Sequence, residues 1–288
     1  INPRGGWMKE NSDTAHAGAN RAAGAAGAKV LHITSRDNAL FKFLRKLAHE
    51  PAAYRKLGQL WLEGDHLCQA ALQRGLQPQA ALFSHSLWAR SAATWQPLLP
   101  SLPRIHVLDN ALFAQLSTLP SAAQMGFVLD VAALLQANTG MDPTANTVIL
   151  DRIQDAGNVG SILRSASALG FKQVLALQGT AALWSPKVLR AGMGAHFALH
   201  LFESATLNEV GQLQVPLLVT HLQGQHLLHQ AALPSPCAWV FGHEGQGVAS
   251  ALVQQANLMV RIAQPGGEES LNVAAAAAVA FWALRVRE

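Results

Sequence analysis

Apolar and polar positions alternate in two regions of the chain, each of which predicts a series of strands and helices. The first region, residues 29–135, contains one clear amphipathic helix, with Leu40, Phe41, Leu44 and Leu47 at helical spacing and lysines and arginines on the opposite face. Short apolar runs surround this helix and predict strands at 59–62, 80–84 and 104–108. The pattern predicts a compact α/β unit.

The second region, residues 147–288, begins with a continuous apolar run at 147–150 that is typical of a strand buried on both faces. A helix is predicted at 159–169, where Gly170 ends it. Further strands are predicted at 173–177, 215–220, 237–241 and 258–262, before a long alanine-rich helix. This alternation predicts a mostly parallel sheet covered by helices, with ligands bound beyond the carboxyl ends of its strands.

Two segments lack a periodic apolar pattern. Residues 1–28 are rich in glycine, alanine and small polar residues, so we expect a disordered tail. Residues 136–146 contain Gly140 and Pro143 and are predicted to be a linker between the two regions.

The charge is unevenly distributed along the chain. The formal net charge is +4, but residues 145–288 hold eight Lys/Arg and eight Asp/Glu and contribute nothing to it. The excess is concentrated between residues 29 and 56, and a basic segment of this kind suits a polyanion such as RNA. A solvated helix face is the alternative. The candidate RNA contacts in this segment are Arg36, Lys42, Arg45 and Lys46.

Composition narrows the class of protein. Half of the residues are hydrophobic, which allows a sizeable core. Cys68 and Cys237 are the only cysteines and form neither a disulfide framework nor a metal-ligand spacing, which suits a reducing cytoplasm. The longest apolar run, 273–284, is shorter than the roughly 20 residues of a membrane span. The histidines within 221–229 show no pattern of metal ligands, so we expect no metal. The cysteines and the short apolar run lead us to expect a cytoplasmic protein without a membrane span.

The first stretch with candidate chemistry follows the strand at 147–150. Gly157 and Gly160 would let the backbone approach a ligand, and Asn158 is a candidate helix cap. Arg164 is a fixed cation whose planar donor fork suits a phosphate or a developing oxyanion, although it is also a typical surface residue of an amphipathic helix. The absence of a G-x-G-x-x-G motif after this strand disfavours a dinucleotide-dependent dehydrogenase.

Two later stretches follow predicted strands in the same way. Residues 242–247 contain three glycines and predict a tight loop, in which Glu244 would accept hydrogen bonds from a ligand, orient Arg164 or simply be solvated. Ser270 and Asn272 lie between a Pro-Gly-Gly loop and the last helix. Ser270 is a candidate cap of that helix, and the functional alternative places both side chains in the crevice.

In this order, the three stretches resemble the motifs of the SpoU (TrmH-like) family of RNA 2′-O-ribose methyltransferases, within the SPOUT class. The resemblance is strong over residues 145–288, whereas residues 32–131 more loosely resemble the L30e-like substrate-binding domain of that family. The matching motif positions are Asn158, Gly160 and Arg164, then Gly242, Glu244 and Gly247, then Ser270, Leu271 and Asn272.

The resemblance implies an α/β fold with a C-terminal trefoil-knotted parallel sheet flanked by helices, preceded by a smaller L30e-like α/β domain. It also implies a homodimer and bound S-adenosylmethionine. The cofactor-binding positions it implies are Gly242, Ile262, Gln264 and Leu271. The catalytic positions it implies are Asn158, Arg164, Glu244, Ser270 and Asn272.

The implied reaction is attack of a ribose 2′-hydroxyl on the sulfonium methyl group. A general-base role has been proposed for the arginine of the first motif, but arginine stays protonated near neutral pH. We therefore expect Arg164 to hold phosphate and stabilise the alkoxide, with Glu244, Ser270 and Asn272 fixing it and the substrate. Ribosomal RNA is the favoured substrate. The alternatives are a tRNA substrate and a non-catalytic RNA-binding protein on the same fold.

Overall fold

Two β-sheets, built from separate stretches of the chain, organise the structure. The computed structural model describes residues 28–102, 104–117, 122–136, 140–266 and 270–286. Of the predicted tail, only residue 28 falls within these ranges, and the predicted linker falls within them in part. We call residues 28–136 the N-terminal region and residues 140–286 the C-terminal region.

The sheet of the N-terminal region is mixed. Its five strands are β1 (Lys29–Ile33), β2 (Gln59–Glu63), β3 (Ala80–Ser84), β4 (Arg104–Leu108) and β5 (Met125–Asp130), in the order β1-β4-β3-β5-β2. Strands β1, β4 and β3 are parallel, whereas β5 is antiparallel to both β3 and β2. The helices are α1 (Ala39–His49), α2 (Ala53–Leu57), α3 (Asp65–Gln73), α4 (His85–Trp95), α5 (Asn110–Ala114) and α6 (Val131–Gln136).

The sheet of the C-terminal region is parallel throughout, as predicted. Its strands are β6 (Thr147–Asp151), β7 (Gln173–Leu177), β8 (His200–Ala205), β9 (Leu217–Thr220), β10 (His226–Leu227), β11 (Ala238–Gly242) and β12 (Leu258–Arg261). They lie in the order β10-β12-β9-β11-β6-β7-β8. The helices are α7 (Ala156–Ala168), α8 (Pro186–Gly192), α9 (Leu207–Val210), α10 (Ser250–Gln255) and α11 (Val273–Arg285).

The central strands of this sheet are buried along their whole length because helices cover both faces. Every residue of β6, β7 and β11 is buried. Helix α7 packs through Val159, Ile162, Leu163 and Ala166, which recur at helical spacing. From β6 the chain passes to β7 on one side, and β11 pairs with β6 on the other, so the strand order reverses there. Parallel α/β sheets bind ligands at such a position.

Polar side-chain contacts, one of them a buried ion pair, join the two regions. Glu63, at the end of β2, pairs with Arg190 of α8 at 2.8 Å, and the two side chains are only 2% and 20% exposed. Glu203 of β8 accepts hydrogen bonds from the Tyr54 hydroxyl at 2.6 Å and from the Arg55 guanidinium at 2.9 Å. These contacts fix the orientation of α2 and β2 relative to α8 and β8.

Two kinds of feature are absent from the part of the chain that the structure describes. No helix there is both long enough and apolar enough to cross a membrane. Within the same ranges, no group of three or more His, Cys, Asp or Glu side chains is arranged to hold a metal ion.

Replacing Arg190 should destabilise the protein strongly. Arg190→Met leaves the buried Glu63 carboxylate without its cationic partner, with only the Ser117 hydroxyl still donating to it, which costs about 3–5 kcal/mol of the free energy of unfolding. Urea denaturation measures this loss, and the double variant Glu63→Gln/Arg190→Met should recover part of it. Arg55→Met is the control, because that side chain is 46% exposed and its pair with Glu203 should contribute below about 1 kcal/mol. Equal losses in the two single variants would contradict the role of the buried pair.

Candidate active site

Three loops meet at the carboxyl edge of the parallel sheet. The first follows β6, the second follows β11, and the third connects β12 to α11. Strands β6 and β11 pair in register, so Asp151 lies opposite Gly242 and the first two loops begin side by side. The three sequence motifs therefore come together, as their positions after parallel strands predict.

The side chain of Asn158 connects all three loops. Its amide nitrogen donates to Glu244 Oε1 at 3.0 Å, and its oxygen accepts a hydrogen bond from Asn272 Nδ2 at 2.9 Å. Glu244 also accepts hydrogen bonds from the backbone amides of Gln154 at 3.2 Å and Asp155 at 3.1 Å. We call Asn158, Glu244 and Asn272 the bridging network, because each comes from a different motif.

Hydrogen bonding keeps Glu244 ionised. Partial burial raises the pKa of its carboxyl group, but hydrogen bonds from Asn158 and from the backbone amides of Glu244 itself, Asp155 and Gln154 outweigh this effect. The pKa of Glu244 therefore lies below its ordinary value. A charged carboxylate accepts stronger hydrogen bonds than a neutral one, which strengthens the hold on Asn158.

The helix caps differ from those that the sequence predicts. Asp155 caps α7, since its side chain accepts a hydrogen bond from the amide of Asn158 at 2.9 Å. Asn272 caps α11, accepting a hydrogen bond from the amide of Ala274 at 2.9 Å. The predicted caps, Asn158 and Ser270, are therefore wrong. Asn158 is left to join the loops, and Ser270 is exposed and forms no side-chain hydrogen bond among the described residues.

Gly242 is required by the path of the second loop. A Cβ atom at this position would lie 2.3 Å from the carbonyl carbon of Gly247 and 2.3 Å from the amide nitrogen of Val248. The loop folds back in this way because the Gly247 amide donates to the carbonyl of His243 at 2.8 Å. The missing side chain of Gly242 therefore lets the loop pack directly onto the end of β11.

Gly160 has a different role from the predicted one. A Cβ atom there would lie 2.4 Å from the Cβ of Ala191 and 2.7 Å from the carbonyl oxygen of Val188. Gly160 therefore lets α7 approach α8 closely, and the prediction that it admits a ligand is wrong.

Asp151 and Arg152 support the second loop, although no sequence motif points to them. The buried Asp151 carboxylate accepts a hydrogen bond from the amide of Ala249 at 2.7 Å and pairs with Arg152 at 2.8 Å. Arg152 also donates to Gln246 at 3.0 Å. Its φ of 59° lies in the left-handed region, which is unfavourable for arginine. A carboxylate at the end of a buried strand is the one available sequence signal.

Arg164 lies apart from the bridging network. It is exposed on α7, and its guanidinium forms no hydrogen bond or ion pair with any described residue. The prediction that Glu244, Ser270 and Asn272 fix Arg164 is therefore contradicted, because Glu244 and Asn272 contact Asn158 instead. Arg164 instead lines a groove of about 290 Å³ between the two regions of the chain.

The candidate cofactor-binding residues surround the start and end of the third loop. Ile262 and Gln264 follow β12 and are partly buried, while Leu271 is exposed just before α11. The side-chain oxygen of Gln264 is buried and has no hydrogen-bond partner in the described ranges. A buried acceptor without a partner is unfavourable, so this atom is suited to a donor from a ligand.

The candidate RNA contacts lie on the solvent-facing side of α1. Lys42, Arg45 and Lys46 are exposed on this helix, and Arg36 is exposed just before it. Lys42 pairs with Asp37 at 2.9 Å. Both interpretations of this basic segment, RNA contact and solvated face, are compatible with these positions.

Gly242→Ala should destabilise the protein, because the added methyl group would collide with backbone atoms of the second loop. We expect a loss of about 1–3 kcal/mol in the free energy of unfolding, measured by urea denaturation. Gly245→Ala is the control in the same loop, since its nearest neighbour would be His243 at an ordinary 3.7 Å. Similar losses in both variants would show that the close approach at Gly242 is not required.

Known proteins share both the sequence and the fold of this chain. A sequence model of the SpoU rRNA Methylase family matches residues 145–282. An uncharacterized tRNA/rRNA methyltransferase of Synechocystis is 31% identical over 267 residues, covering 89% of this chain and 94% of the relative. The 23S rRNA (guanosine(2553)-2′-O)-methyltransferase RlmP of Bacillus subtilis is 28% identical over 258 residues, covering 88% of this chain and 98% of RlmP.

A solved structure extends the similarity to the fold. The SpoU methyltransferase AviRb of Streptomyces viridochromogenes, in complex with the cofactor AdoMet, superposes with a TM-score of 0.76 at 23% identity, covering 87% of this chain and 98% of AviRb. Together with the matched family sequence and the full-length relatives, the assembled motifs show that this chain belongs to the SpoU methyltransferase family.

Proposed function

We propose that this protein methylates a ribose 2′-hydroxyl of RNA with S-adenosylmethionine, and that ribosomal RNA is its substrate. The observation that carries the proposal is the bridging network, which assembles the three family motifs into one site. RlmP, which aligns over nearly its whole length, is named as a 23S rRNA 2′-O-methyltransferase. The Synechocystis relative is named for tRNA and rRNA together, so tRNA is the alternative substrate. A ribosomal RNA substrate also supports a cytoplasmic location.

The residues at the third loop fit this cofactor. S-adenosylmethionine supplies a methyl group activated by a sulfonium centre. Ile262 and Leu271 offer apolar surface there, and the oxygen of Gln264 is an acceptor without a partner among the described residues. Gly242, at the end of β11, would contribute backbone alone. AviRb, which has the same fold, is known in complex with AdoMet.

The polar residues of the site have two different roles, to position the loops and to contact the substrate. Asn158, Glu244 and Asn272 hold the loops in place, and their side chains are occupied in doing so. The charged guanidinium of Arg164 has no partner among the described residues, which suits it to the RNA phosphate and to the negative charge that develops on the 2′-oxygen. The Ser270 hydroxyl is exposed and available to the substrate. Because the methyl group is already activated, positioning supplies much of the rate.

We also propose that this chain has the domain organisation and the trefoil knot of the family. Residues 29–135 would form an L30e-like RNA-binding domain, 136–146 a linker and 147–288 the methyltransferase domain. The knot is supported by the path of the chain: β12 pairs with β9 and β10 on one side of the sheet, whereas α11 returns to pack against α7 and β11 at its centre.

We also propose a homodimer formed through α11. Three exposed residues of this helix, Ala275, Val279 and Trp282, together with its C-cap Val286, recur at spacings of three and four and form one apolar stripe. Trp282 is 60% exposed, although large aromatic side chains are usually covered. A second copy of the chain would cover this stripe and bring two sites together.

Arg164→Ala should lower methyl transfer about 100-fold or more while leaving S-adenosylmethionine affinity unchanged, because the side chain stabilises charge on the substrate. Arg164→Lys should remain strongly impaired, since lysine lacks the planar donor fork. Transfer of labelled methyl groups to unmodified 23S rRNA transcripts measures the rate, and calorimetry measures cofactor affinity.

The exposed Lys172 of the same region provides a matched control, and Lys172→Ala should keep full activity. Near-wild-type turnover of Arg164→Lys would contradict the role of the fork. A wild-type protein that binds RNA but not S-adenosylmethionine would favour the non-catalytic alternative.

Trp282→Glu should convert the dimer to a monomer, because a charge would replace the largest apolar group of the stripe. Sedimentation equilibrium measures the mass. Leu222→Glu is the control, as Leu222 is similarly exposed, at 57%, but lies outside α11. A Trp282→Glu protein that stays dimeric would exclude this helix face as the interface.

A further inference from the structure

The groove that contains Arg164 separates α3 of the N-terminal region from α7 and α8 of the C-terminal region. It has a volume of about 290 Å³ and is open to solvent. The side chains that line it include Gln73, Arg74, Arg164, Ser167 and Met193. Arg74 follows the end of α3 and Arg164 lies on α7, so an arginine is contributed by each wall. No carboxylate is among the described residues that line the groove.

The two guanidinium groups are available to a ligand. Both side chains are exposed, and neither forms a hydrogen bond or ion pair with a described residue. An anion placed between two positive charges offsets the Coulomb repulsion between them. The planar donor fork of arginine matches the oxygens of a phosphate, and Gln73 and Ser167 add uncharged donors nearby.

Contacts outside the arginines set the width of the groove. The walls touch at one end, where a Cβ atom on Gly194 would lie 2.7 Å from the Cβ of Ala70. The buried pair of Glu63 and Arg190 holds α8 to the N-terminal region. Because these contacts already fix both walls, a ligand would not have to order them, which favours binding.

The groove lies close to the bridging network. Arg164 and Asn158 are six residues apart on α7, which corresponds to about 9 Å along the helix axis. Helix α1, which carries the basic residues Lys42, Arg45 and Lys46, lies against α8, which also borders the groove. A chain of phosphates leaving the network could therefore pass the two arginines on its way to α1.

We propose that the groove binds a phosphodiester of the substrate RNA, next to the nucleotide that is methylated, between Arg74 and Arg164. Arg74 is then an RNA-binding residue that the N-terminal region contributes to the site. This inference rests on the proposed function, because it requires that RNA reaches Arg164.

Arg74→Ala tests the inference. In the full-length protein, it should weaken binding of an unmodified 23S rRNA transcript about tenfold. It should also reduce the slope of log K against log salt concentration by about 0.7–0.9, the value for one lost phosphate contact. S-adenosylmethionine affinity should not change. Arg104→Ala is the matched control, because Arg104 is an exposed arginine of the same region outside the groove, and it should alter neither quantity.

The double variant Arg74→Ala/Arg164→Ala tests whether one phosphate is shared. The fold-loss of RNA affinity in the double variant should be smaller than the product of the fold-losses in the two single variants. Either single substitution already removes one of the two arginines that hold the phosphate. A loss equal to that product would overturn the shared phosphate.

Methylation, cofactor binding and salt slopes together distinguish a groove that does not bind RNA from a protein that does not methylate it. If the wild-type protein methylates the transcript but Arg74→Ala and Arg104→Ala bind it equally well, with equal salt slopes, the groove is not the RNA site. If the wild-type protein neither binds S-adenosylmethionine nor methylates RNA, the proposed function is wrong, and the salt slopes of the same variants still decide whether the groove binds RNA.

Discussion

The side-chain amide of Asn158 is the interaction on which the candidate site depends. A carboxamide has donors at one end and an acceptor at the other, so it serves two different partners at once. Its nitrogen meets the ionised Glu244, and its oxygen meets the nitrogen of Asn272. An aspartate in its place would repel Glu244, and a shorter hydroxyl side chain would have less reach. One amide thus holds together loops that lie up to 114 residues apart.

This amide is in position because of the sheet below it. Strands β6 and β11 are neighbours and end at the same level, which places the start of α7 beside the Gly-rich loop. The backbone amides of Gln154 and Asp155 then fix Glu244, and the buried Asp151 with Arg152 secures the remainder of that loop. Gly242 and Gly160 allow the required close approaches of loop to strand and of α7 to α8. Strand pairing and close backbone approach thus place the groups that form the polar contacts of the site.

The location of the site could be predicted from the sequence, but its internal hydrogen bonds could not. Motifs that follow buried parallel strands must meet at one edge of the sheet, and three of them do. Local signals were ambiguous for the caps, because Asp155 and Asn158 are both good capping residues and only the distant Glu244 decides between them. Pairs such as Glu63 and Arg190, 127 residues apart, leave no local pattern. The same holds for the groove, whose two arginines come from different regions.

The structure also separates the motif residues by whether their polar atoms already have partners. The side chains of Asn158, Glu244 and Asn272 form hydrogen bonds with one another and with the backbone. They therefore act as the framework of the site. Arg164, Ser270 and the oxygen of Gln264 have no partner among the described residues. Polar groups without partners are the ones that a ligand can satisfy. If the proposed function holds, the cofactor and the RNA would bind different groups, Gln264 at the third loop and Arg164 in the groove, and the framework would set the distance between them.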